Sequence, residues 1–446
     1  MLVLSGRDFI SAEHPPQSMT LPSDSEKPAR ASVFDAFSVR SFRFQWPADL
    51  ATSWAFEMET LILGWYVLVE TRSVPMLTLF AMLQHIGTLL SPMFGVMGDR
   101  IGHRKVLAAM RAVYTTLALT LMTLAYSGLL TPTYVILIAG MMGLVRPSDV
   151  GIRTALVGAT MPPDKLMGGM SIQRTTQDSA RIAGALTGAG LVAMLGIGPA
   201  YTVVATFYAL SVALTLKGAP PRAAASARTP AATAHAERAS PWGDLRAGLA
   251  YVWNTPLLLG TMILAFLLNC TTFPMMNALM PVMAKEIYHI NQTGLGYLVA
   301  AGGFGALMSS VIMSLIGHRI RPARTMILLS AGWLLSLMCF VNTPSPAYGI
   351  PFLLLAGLSQ GLSQISMATM LIRSTEARFR GRTMGIRTLA IYGNVPGLLL
   401  AGFLIPRIGY PLMATLYCAV ALVCVAIVTL RWRTQIWHRG ARANSR

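Results

Sequence analysis

The chain has 446 residues, of which 54% are hydrophobic and only 12% charged, and this ratio excludes an ordinary water-soluble domain. A net charge of +18 would suit a nucleic-acid-binding protein, but the lysines and arginines lie in short loops between apolar stretches and so indicate membrane topology. We therefore expect a lipid bilayer, and no nucleic acid, among the partners of this chain.

About a dozen apolar stretches are long enough to cross a bilayer, which takes ~20 residues. They lie near residues 46–69, 76–97, 105–127, 132–157, 166–195, 198–216, 256–283, 293–316, 324–342, 347–372, 383–406 and 409–430. The break between the fifth and sixth, Gly196–Pro199, is short, so ten or eleven spans remain open. Symmetry favours twelve.

The apolar stretches predict a division of the chain into two bundles and three cytoplasmic segments. The predicted parts are a tail (1–45), a six-helix bundle (46–216), a linker (217–254), a second six-helix bundle (255–430) and a basic tail (431–446). The linker is rich in Ala, Pro, Arg and Ser, which is typical of a flexible connection. Its end carries apolar residues at helical spacing, which predicts a short helix on the membrane surface or an inward extension of the seventh span.

The orientation follows from the positive charge of the loops. One set of alternate loops holds most of the lysines and arginines, whereas the opposite set holds little beyond Arg72, Lys285 and Arg407. Because basic loops stay in the cytoplasm, both termini are predicted to be cytoplasmic. The apolar patch of Met1–Ile10 is short and a Pro- and Ser-rich stretch follows it, which predicts no cleaved signal peptide.

The two bundles share a short repeat. Gly98-Asp99-Arg100-Ile101 follows the second span, and Gly317-His318-Arg319-Ile320 follows the eighth. Duplicated halves are typical of secondary transporters, in which two similar bundles rock around a site near the midplane. The predicted fold is an all-α polytopic membrane protein with two six-helix bundles around a central cavity.

The stretch from Gly95 to Lys105 resembles the loop signature of the major facilitator superfamily, Gly-x-x-x-Asp-Arg-x-Gly-Arg-Arg/Lys, and departs from it only at His103. Further stretches resemble the bacterial enterobactin-exporter group: Leu63–Leu68, Ala180–Gly184, Asp244–Leu249 and Arg380–Arg382. The resemblance implies a monomeric transporter of the bacterial inner membrane that exports a siderophore or a drug in exchange for protons. In the fifth span Gly184 is followed by Ala185, where antiporters of the superfamily usually carry Gly-Pro.

The loop signature predicts a gate at the cytoplasmic side. The carboxylate of Asp99 can accept hydrogen bonds from a helix N-terminus and pair with an arginine, which would latch the two halves together. The resemblance suggests Arg153 and the start of the eleventh span near Arg382 as its partners. The alternative is that Asp99 and Arg100 only end the helix. The predicted gate residues are Gly95, Asp99, Arg100, Gly102, Arg104, Arg153 and Arg382.

Four acidic residues fall well inside predicted spans, where a charge costs at least ~2.5–3.5 kcal/mol. They are Glu57, Glu59, Asp149 and Asp178. We expect proton coupling from Glu59, Glu57 or Asp149, and we expect Glu59 to face the cavity, because it occupies a position where related chains carry a polar residue. Counting from the span starts places Glu57, Arg146 and Asp178 at one depth. The alternative is an ion-pair network that only fixes packing.

The second half offers amides and hydroxyls instead of acids, and Gln360 and Gln364 share a helix face. They are expected to form a neutral wall for a bulky amphipathic substrate, or to bond neighbouring helices. The predicted cavity residues are Arg146, Asp178, Arg181, Asn269, Gln360, Gln364 and Asn394.

Other classes of protein fit the sequence less well. An enzyme within the membrane would need a nucleophile or metal-ligand constellation, whereas the histidines are scattered. The four cysteines fall inside predicted spans, and the chain has no P-loop. We therefore expect no cofactor, metal, disulfide or ATP site. A non-transporting receptor or scaffold of the same fold remains open.

Overall fold

A computed structural model describes residues 33–218, 241–316, 320–376 and 379–433, and every regular element in these ranges is helical. The first half contains α1 (Arg40–Thr71), α2 (Val74–Leu83), α3 (Ser91–Ile101), α4 (His103–Tyr126), α5 (Pro132–Thr160), α6 (Pro163–Leu195) and α7 (Ile197–Lys217). The second half contains α8 (Pro241–Asn254), α9 (Pro256–Phe273), α10 (Gln292–Ile316), α11 (Pro322–Val341), α12 (Pro346–Ser374), α13 (Arg380–Leu389), α14 (Asn394–Ile408) and α15 (Tyr410–Arg431).

Short helical turns complete several of these elements. A 3₁₀ turn, Val33–Ser38, precedes α1, and further 3₁₀ turns, Ile86–Leu90 and Ala390–Gly393, join α2 to α3 and α13 to α14. Two π-helical turns, Pro274–Ala278 and Met283–Ile287, follow α9. Proline in the first turn begins many of the helices, because its missing N–H needs no partner there.

Ten helical segments of the described chain are long and apolar enough to cross a membrane. Helices α1 and α6 have 32 and 33 residues, but charged side chains interrupt their apolar runs. These two helices pack against each other inside the first bundle. Together with the ten apolar segments they make twelve crossing helices among the described residues. The doubtful break between the fifth and sixth spans is real, because Gly196 separates α6 from α7 with a φ of +85°.

One boundary differs from the sequence interpretation, and one alternative that it left open is resolved. Helix α1 begins at Arg40, inside the segment expected to be a tail, because Phe42 and Trp46 pack against α5 and α6. Helix α8 ends before Thr255 and α9 begins at Pro256, so the helix after the linker is separate from the seventh span. Residues 1–32, 219–240 and 434–446 of the predicted tails and linker lie outside the described residues.

The two halves contact each other mainly through two helix pairs. Within the first half α1 packs on α6 and α7, and within the second half α12 packs on α10 and α11. Between the halves, α6 packs on α10 and α2 packs on α14. We call the side on which α1 begins and α7 ends the linker face, and the opposite side the far face.

Candidate functional site

The halves meet closely at the far face. A Cβ at Gly402 of α14 would lie only 2.4 Å from Oγ1 of Thr78 of α2, so the glycine allows this approach. Near the end of α1, a Cβ at Gly64 would lie 3.8 Å from Pro281. Lys285 Nζ donates to the carbonyl of Leu68 at 3.3 Å. These contacts close the space between the halves on this side.

The closure continues to the middle of the molecule along α6 and α10. A Cβ at Gly296 would lie 2.6 Å from the Cβ of Ala189. Deeper in the molecule, Arg181 Nη2 donates to Oδ1 of Asn277 at 2.5 Å, which joins the halves through a polar bond. The hydroxyl of Ser310 donates to Asp178 at 3.5 Å. The inter-half contacts thus reach mid-depth from the far face.

The linker side of the interface is open. A Cβ at Gly95 of α3 or at Gly385 of α13 would meet no atom within 4 Å. The side chain of Arg174 on α6 is 61% exposed, and Met167 of the same helix is 79% exposed. Because the halves are joined at the far face and separate here, the space between them opens toward the linker face.

Glu57 and Glu59 point to different surroundings, and the orientation predicted from the sequence is wrong. Glu59 is only 2% exposed, and it accepts hydrogen bonds from Tyr208 at 2.8 Å and Tyr201 at 3.5 Å. Both tyrosines belong to α7, so Glu59 faces the interior of the first bundle. Sequence periodicity could not show this because it does not reveal which face α7 covers.

Glu57 lies on the face of α1 that meets the second half. It precedes Gly64 by seven residues, which is two helical turns, so both residues lie on one stripe of the helix. A Cβ at Gly64 would lie within van der Waals distance of Pro281 of the second half. The Glu57 side chain is half-buried and has no hydrogen bond or ion pair with any described residue. It is therefore a carboxylate without a partner directly beneath the far-face closure.

The predicted common depth of three charges holds for two of them. Arg146 donates to the carbonyl of Phe56 and to Thr60, so it lies level with Glu57. A Cβ at Gly184 of α6 would be 2.7 Å from the Cβ of Glu57. Asp178 precedes Gly184 by six residues and hence lies about 9 Å nearer the linker face. The prediction is wrong for Asp178, because the register of α6 against α1 places Gly184, not Asp178, level with Glu57.

Three guanidinium groups near the space between the halves bond to neutral amides rather than carboxylates. Arg146 donates to Gln84 at 2.6 Å, Arg181 to Asn277 at 2.5 Å, and Arg387 to Gln364 at 3.4 Å. Among the described residues none of the three forms an ion pair. Arg174 differs, because it pairs with Asp178 at 3.2 Å.

The prediction that the second half forms a neutral wall is wrong, because Arg387 lies on this half. This residue lies on α13 and is half-buried. The sequence interpretation searched the second half for acidic residues and missed it. An arginine four residues after the predicted start of the eleventh span was a usable signal.

The other predicted amides differ in their burial and in their hydrogen-bond partners. Gln360 is half-buried, and its Oε1 has no partner in the described structure. Asn269 is half-buried and donates to the carbonyl of Ala265 on its own helix at 2.8 Å. Asn394 is completely buried, so the structure does not place it on the cavity surface. Its burial follows from the tight contact of α14 with α9 near Cys270.

Another group of charges lies inside the first bundle near the linker face. Asp49 of α1 pairs with Arg111 of α4 and Arg153 of α5, and Arg153 also pairs with Asp149. All four side chains are at most 4% exposed. We call Asp49, Arg111, Asp149 and Arg153 the buried quartet. Its two acids and two bases are mutually compensated.

The buried quartet changes the interpretation of two predicted residues. Asp149, a candidate for proton coupling, is bonded to Arg153 four residues later. Arg153, a candidate gate partner, donates to Ser53 at 2.8 Å and does not reach Asp99. Asp49 and Arg111 are not among the predicted residues, because they lie near the ends of their spans rather than well inside them. The sequence does place Asp49 near the start of the first span and Arg111 near the start of the third, both on the linker side. This common level was the signal for an ion pair.

Of the predicted gate contacts, the one between Asp99 and Arg153 is absent among the described residues. Asp99 is 63% exposed and pairs with His103 at 3.5 Å, within its own loop. Arg100 is exposed, and Gly102 has a φ of +96°, which requires glycine for the turn. Arg104 is wrongly assigned to the gate, because it bonds the carbonyls of Thr215 and Leu216 and caps the end of α7. The side chain of Arg382 lies outside the described residues.

The arrangement as a whole can bind an anion and exchange a proton. Guanidinium groups without a carboxylate partner attract negative charge, and a carboxylate without a partner can accept a proton or a hydrogen bond. These groups line the approach to a space that is closed at one face and open at the other. This is the geometry of a binding site exposed to one side of a membrane.

A family model described as the Major Facilitator Superfamily matches residues 31–395 and 262–445 of the chain. The enterobactin exporter EntS of Escherichia coli O1:K1 / APEC is 27% identical over 316 residues, which cover 69% of this chain and 71% of that protein. The resemblance predicted from the loop signature is therefore confirmed.

Solved structures of transporters share the fold. The nucleoside transporter NupG superposes with a TM-score of 0.66 at 14% identity, covering 88% of this chain and 99% of the other. A bacterial homologue of the human lysosomal transporter Spinster, in an inward-facing and unoccupied conformation, gives a TM-score of 0.67 at 13% identity, covering 91% and 99%. The predicted fold class is confirmed.

Proposed function

This chain belongs to the Major Facilitator Superfamily, a family of transporters rather than enzymes, and from that premise we propose that it is a proton-coupled exporter of a siderophore or similar amphipathic small molecule. The observation that carries the proposal is the unpartnered carboxylate of Glu57 on the face of α1 that meets the second half. The similarity to an enterobactin exporter supports export and the siderophore class.

The orientation of the molecule fits export. The linker-face loops carry Arg100, Arg104 and Lys105, whereas the far face carries Arg72, Lys285 and Arg407. The longer basic set, which includes the linker and the C-terminal tail, supports a cytoplasmic linker face in the bacterial inner membrane. The conformation described is then open to the cytoplasm and ready to load substrate.

Loading uses both kinds of unpartnered charge. Acidic groups of the substrate bind Arg146 and Arg387 in place of the neutral amides that now hold them. Hydroxyl or amine groups of the substrate donate hydrogen bonds to ionised Glu57. A proton on Glu57 removes that acceptor, so proton and substrate compete for one side chain. Competition of this kind couples their movement in opposite directions.

The gate closes by joining the linker-side ends of the halves. Asp99 at the end of α3 is exposed, and its one partner among the described residues is His103 of the same loop. We assign its partner in the closed state to the start of α13 near Arg382, because Arg153 is committed to the buried quartet. The outward-open state then forms as the far-face contacts separate.

Transport into inside-out proteoliposomes tests the proposal, with enterobactin and ethidium as probes of siderophore and drug export. We expect an outward-directed proton gradient, with the vesicle lumen more acidic than the bath, to change enterobactin uptake by the wild type. Glu57→Gln should abolish this pH dependence. Glu59→Gln is the matched control, two residues away on the same helix, and should keep it. Retained coupling in Glu57→Gln contradicts the proton role.

The same assay separates the alternatives. Movement of ethidium without enterobactin would identify multidrug efflux, which the fold also accommodates. Movement of neither probe across a range of gradients, in protein that remains folded, would favour a receptor or scaffold of this fold. Loss of coupling in Glu59→Gln but not in Glu57→Gln would restore the orientation expected from the sequence.

A further inference from the structure

A lateral crevice opens between the two halves at the far face. Its walls are α2 of the first half and α14 of the second, and its volume is about 460 Å³. The lining side chains are Pro75, Thr78, Leu79, Met82, Leu399, Phe403, Pro406 and Arg407, with Gly402 at the contact of the two helices. The volume lies within the ~300–1,000 Å³ of small-molecule sites.

The chemistry of the crevice is apolar along its length and basic at one end. Leu399 and Phe403 are 56% and 55% exposed, so the walls present hydrocarbon to whatever fills the space. Arg407 is the next-to-last residue of α14 and therefore lies at the far-face end. An apolar groove of this kind beside a cation at a helix end matches an acyl chain below a headgroup.

Arg407 is held in place and still has donors to offer. Its guanidinium lies 3.5 Å from the centroid of the Phe403 ring, and Nη1 donates to the carbonyl of Phe403 at 2.6 Å. Among the described residues it forms no ion pair, and its other N–H groups have no partner. The side chain is thus fixed over the crevice with its charge uncompensated.

We propose that this crevice binds an anionic phospholipid of the far-face leaflet, with the phosphate on Arg407 and an acyl chain between α2 and α14. Because the two walls belong to different halves, the lipid bridges them. It binds the conformation in which the far face is closed and loses its site when the walls separate. By linkage, the lipid stabilises the far-face-closed conformation. This inference concerns a surface outside the central cavity and does not depend on the substrate or on proton coupling.

Binding is tested with the full-length protein in nanodiscs of phosphatidylcholine, with or without phosphatidylglycerol. Native mass spectrometry after release counts the phosphatidylglycerol retained. We expect Arg407→Gln to retain it roughly fivefold less well, the factor that corresponds to the ~1 kcal/mol of one basic side chain near an anionic membrane. Arg407→Lys should keep most of the retention. Arg72→Gln removes another exposed far-face arginine that does not line the crevice, and it should match the wild type.

Hydrogen–deuterium exchange supplies a readout of the bridge itself. Phosphatidylglycerol should slow exchange in peptides from Val74–Leu83 and Asn394–Ile408 of the wild type, and this protection should be absent in Arg407→Gln. Equal retention and equal protection in the wild type and Arg407→Gln would overturn the proposal. Protection by inorganic phosphate alone would also overturn the proposal, because the acyl chain would then contribute nothing.

Discussion

Two groups of charges in this protein have opposite arrangements. In the buried quartet, Asp49 and Asp149 lie against Arg111 and Arg153, and all four side chains are nearly inaccessible. Between the halves, Glu57 has no partner among the described residues, and three arginines bond to side-chain amides and form no ion pair there. The first group is electrostatically complete within one bundle. The second is incomplete until a ligand, a proton or a change of conformation completes it.

The difference separates charges that stabilise the first bundle from charges that are available for binding. Removing one member of a compensated buried group leaves the others uncompensated, which is strongly destabilising. Removing a charge from a half-open site costs little stability, because water already solvates it. Substitutions in the buried quartet should therefore lower stability, and substitutions between the halves should change binding.

The largest effect is expected from Asp49→Ala. This change leaves Arg111 and Arg153 with one carboxylate between them, and the loss of a partner from a buried ion group costs ~3–5 kcal/mol. The measurement is thermal or denaturant unfolding of the protein in detergent. Asp99→Ala is the control, since its carboxylate is 63% exposed and its loss should change stability by less than ~1 kcal/mol. Similar stabilities for both variants would break the distinction between the two groups.

Arg387→Gln should act on binding instead. A hydrogen bond to a charged group contributes ~1.5–3 kcal/mol, so the affinity for an anionic substrate should fall about 10- to 100-fold. Stability should stay within ~1 kcal/mol of the wild type, because the one hydrogen bond of this side chain to a described residue, Gln364, is long. Binding is measured on the purified protein at fixed pH. Arg174→Gln, which removes an exposed arginine already paired with Asp178, serves as the comparison and should have a smaller effect.

Glu59 tests whether a single helix carries both kinds of charge. Glu59→Ala leaves the hydroxyls of Tyr201 and Tyr208 without their acceptor, which costs roughly 1–3 kcal/mol for buried polar groups. Glu57→Ala removes a side chain with no described partner and should cost less than ~1 kcal/mol. Both are read from the same unfolding curves. The reverse order of stability would mean that Glu57, rather than Glu59, is the packed residue.

The sequence predicts the spans well because hydrophobicity alone decides which segments enter a bilayer. It placed the breaks at Gly196 and at the linker correctly, whereas α1 begins earlier than expected because Phe42 and Trp46 pack beyond the apolar run. Boundaries of this kind depend on tertiary contacts, which hydropathy does not contain.

The site was harder to predict than the fold. Periodicity shows that Glu57 and Glu59 point in different directions, but only the position of α7 decides which is buried. The depth of Asp178 depends on the register of α6 against α1, and the surroundings of Asp99 depend on the conformation. Arg387 was in reach of the sequence, since a cation within a span is a functional signal regardless of which half holds it.

The smallest effect is expected from Asp99→Asn, which touches neither group of charges in the conformation described. Among the described residues Asp99 bonds only to His103, so stability should not change. If the carboxylate joins the start of α13 when the linker face closes, its loss destabilises that state alone by the ~0.3–1 kcal/mol of a charge at a helix N-terminus. Turnover should then slow about two- to fivefold while substrate affinity in the open state is retained. His103→Ala provides the control, because it frees Asp99 without removing its charge. Wild-type turnover in Asp99→Asn would leave the loop with only the role of ending α3.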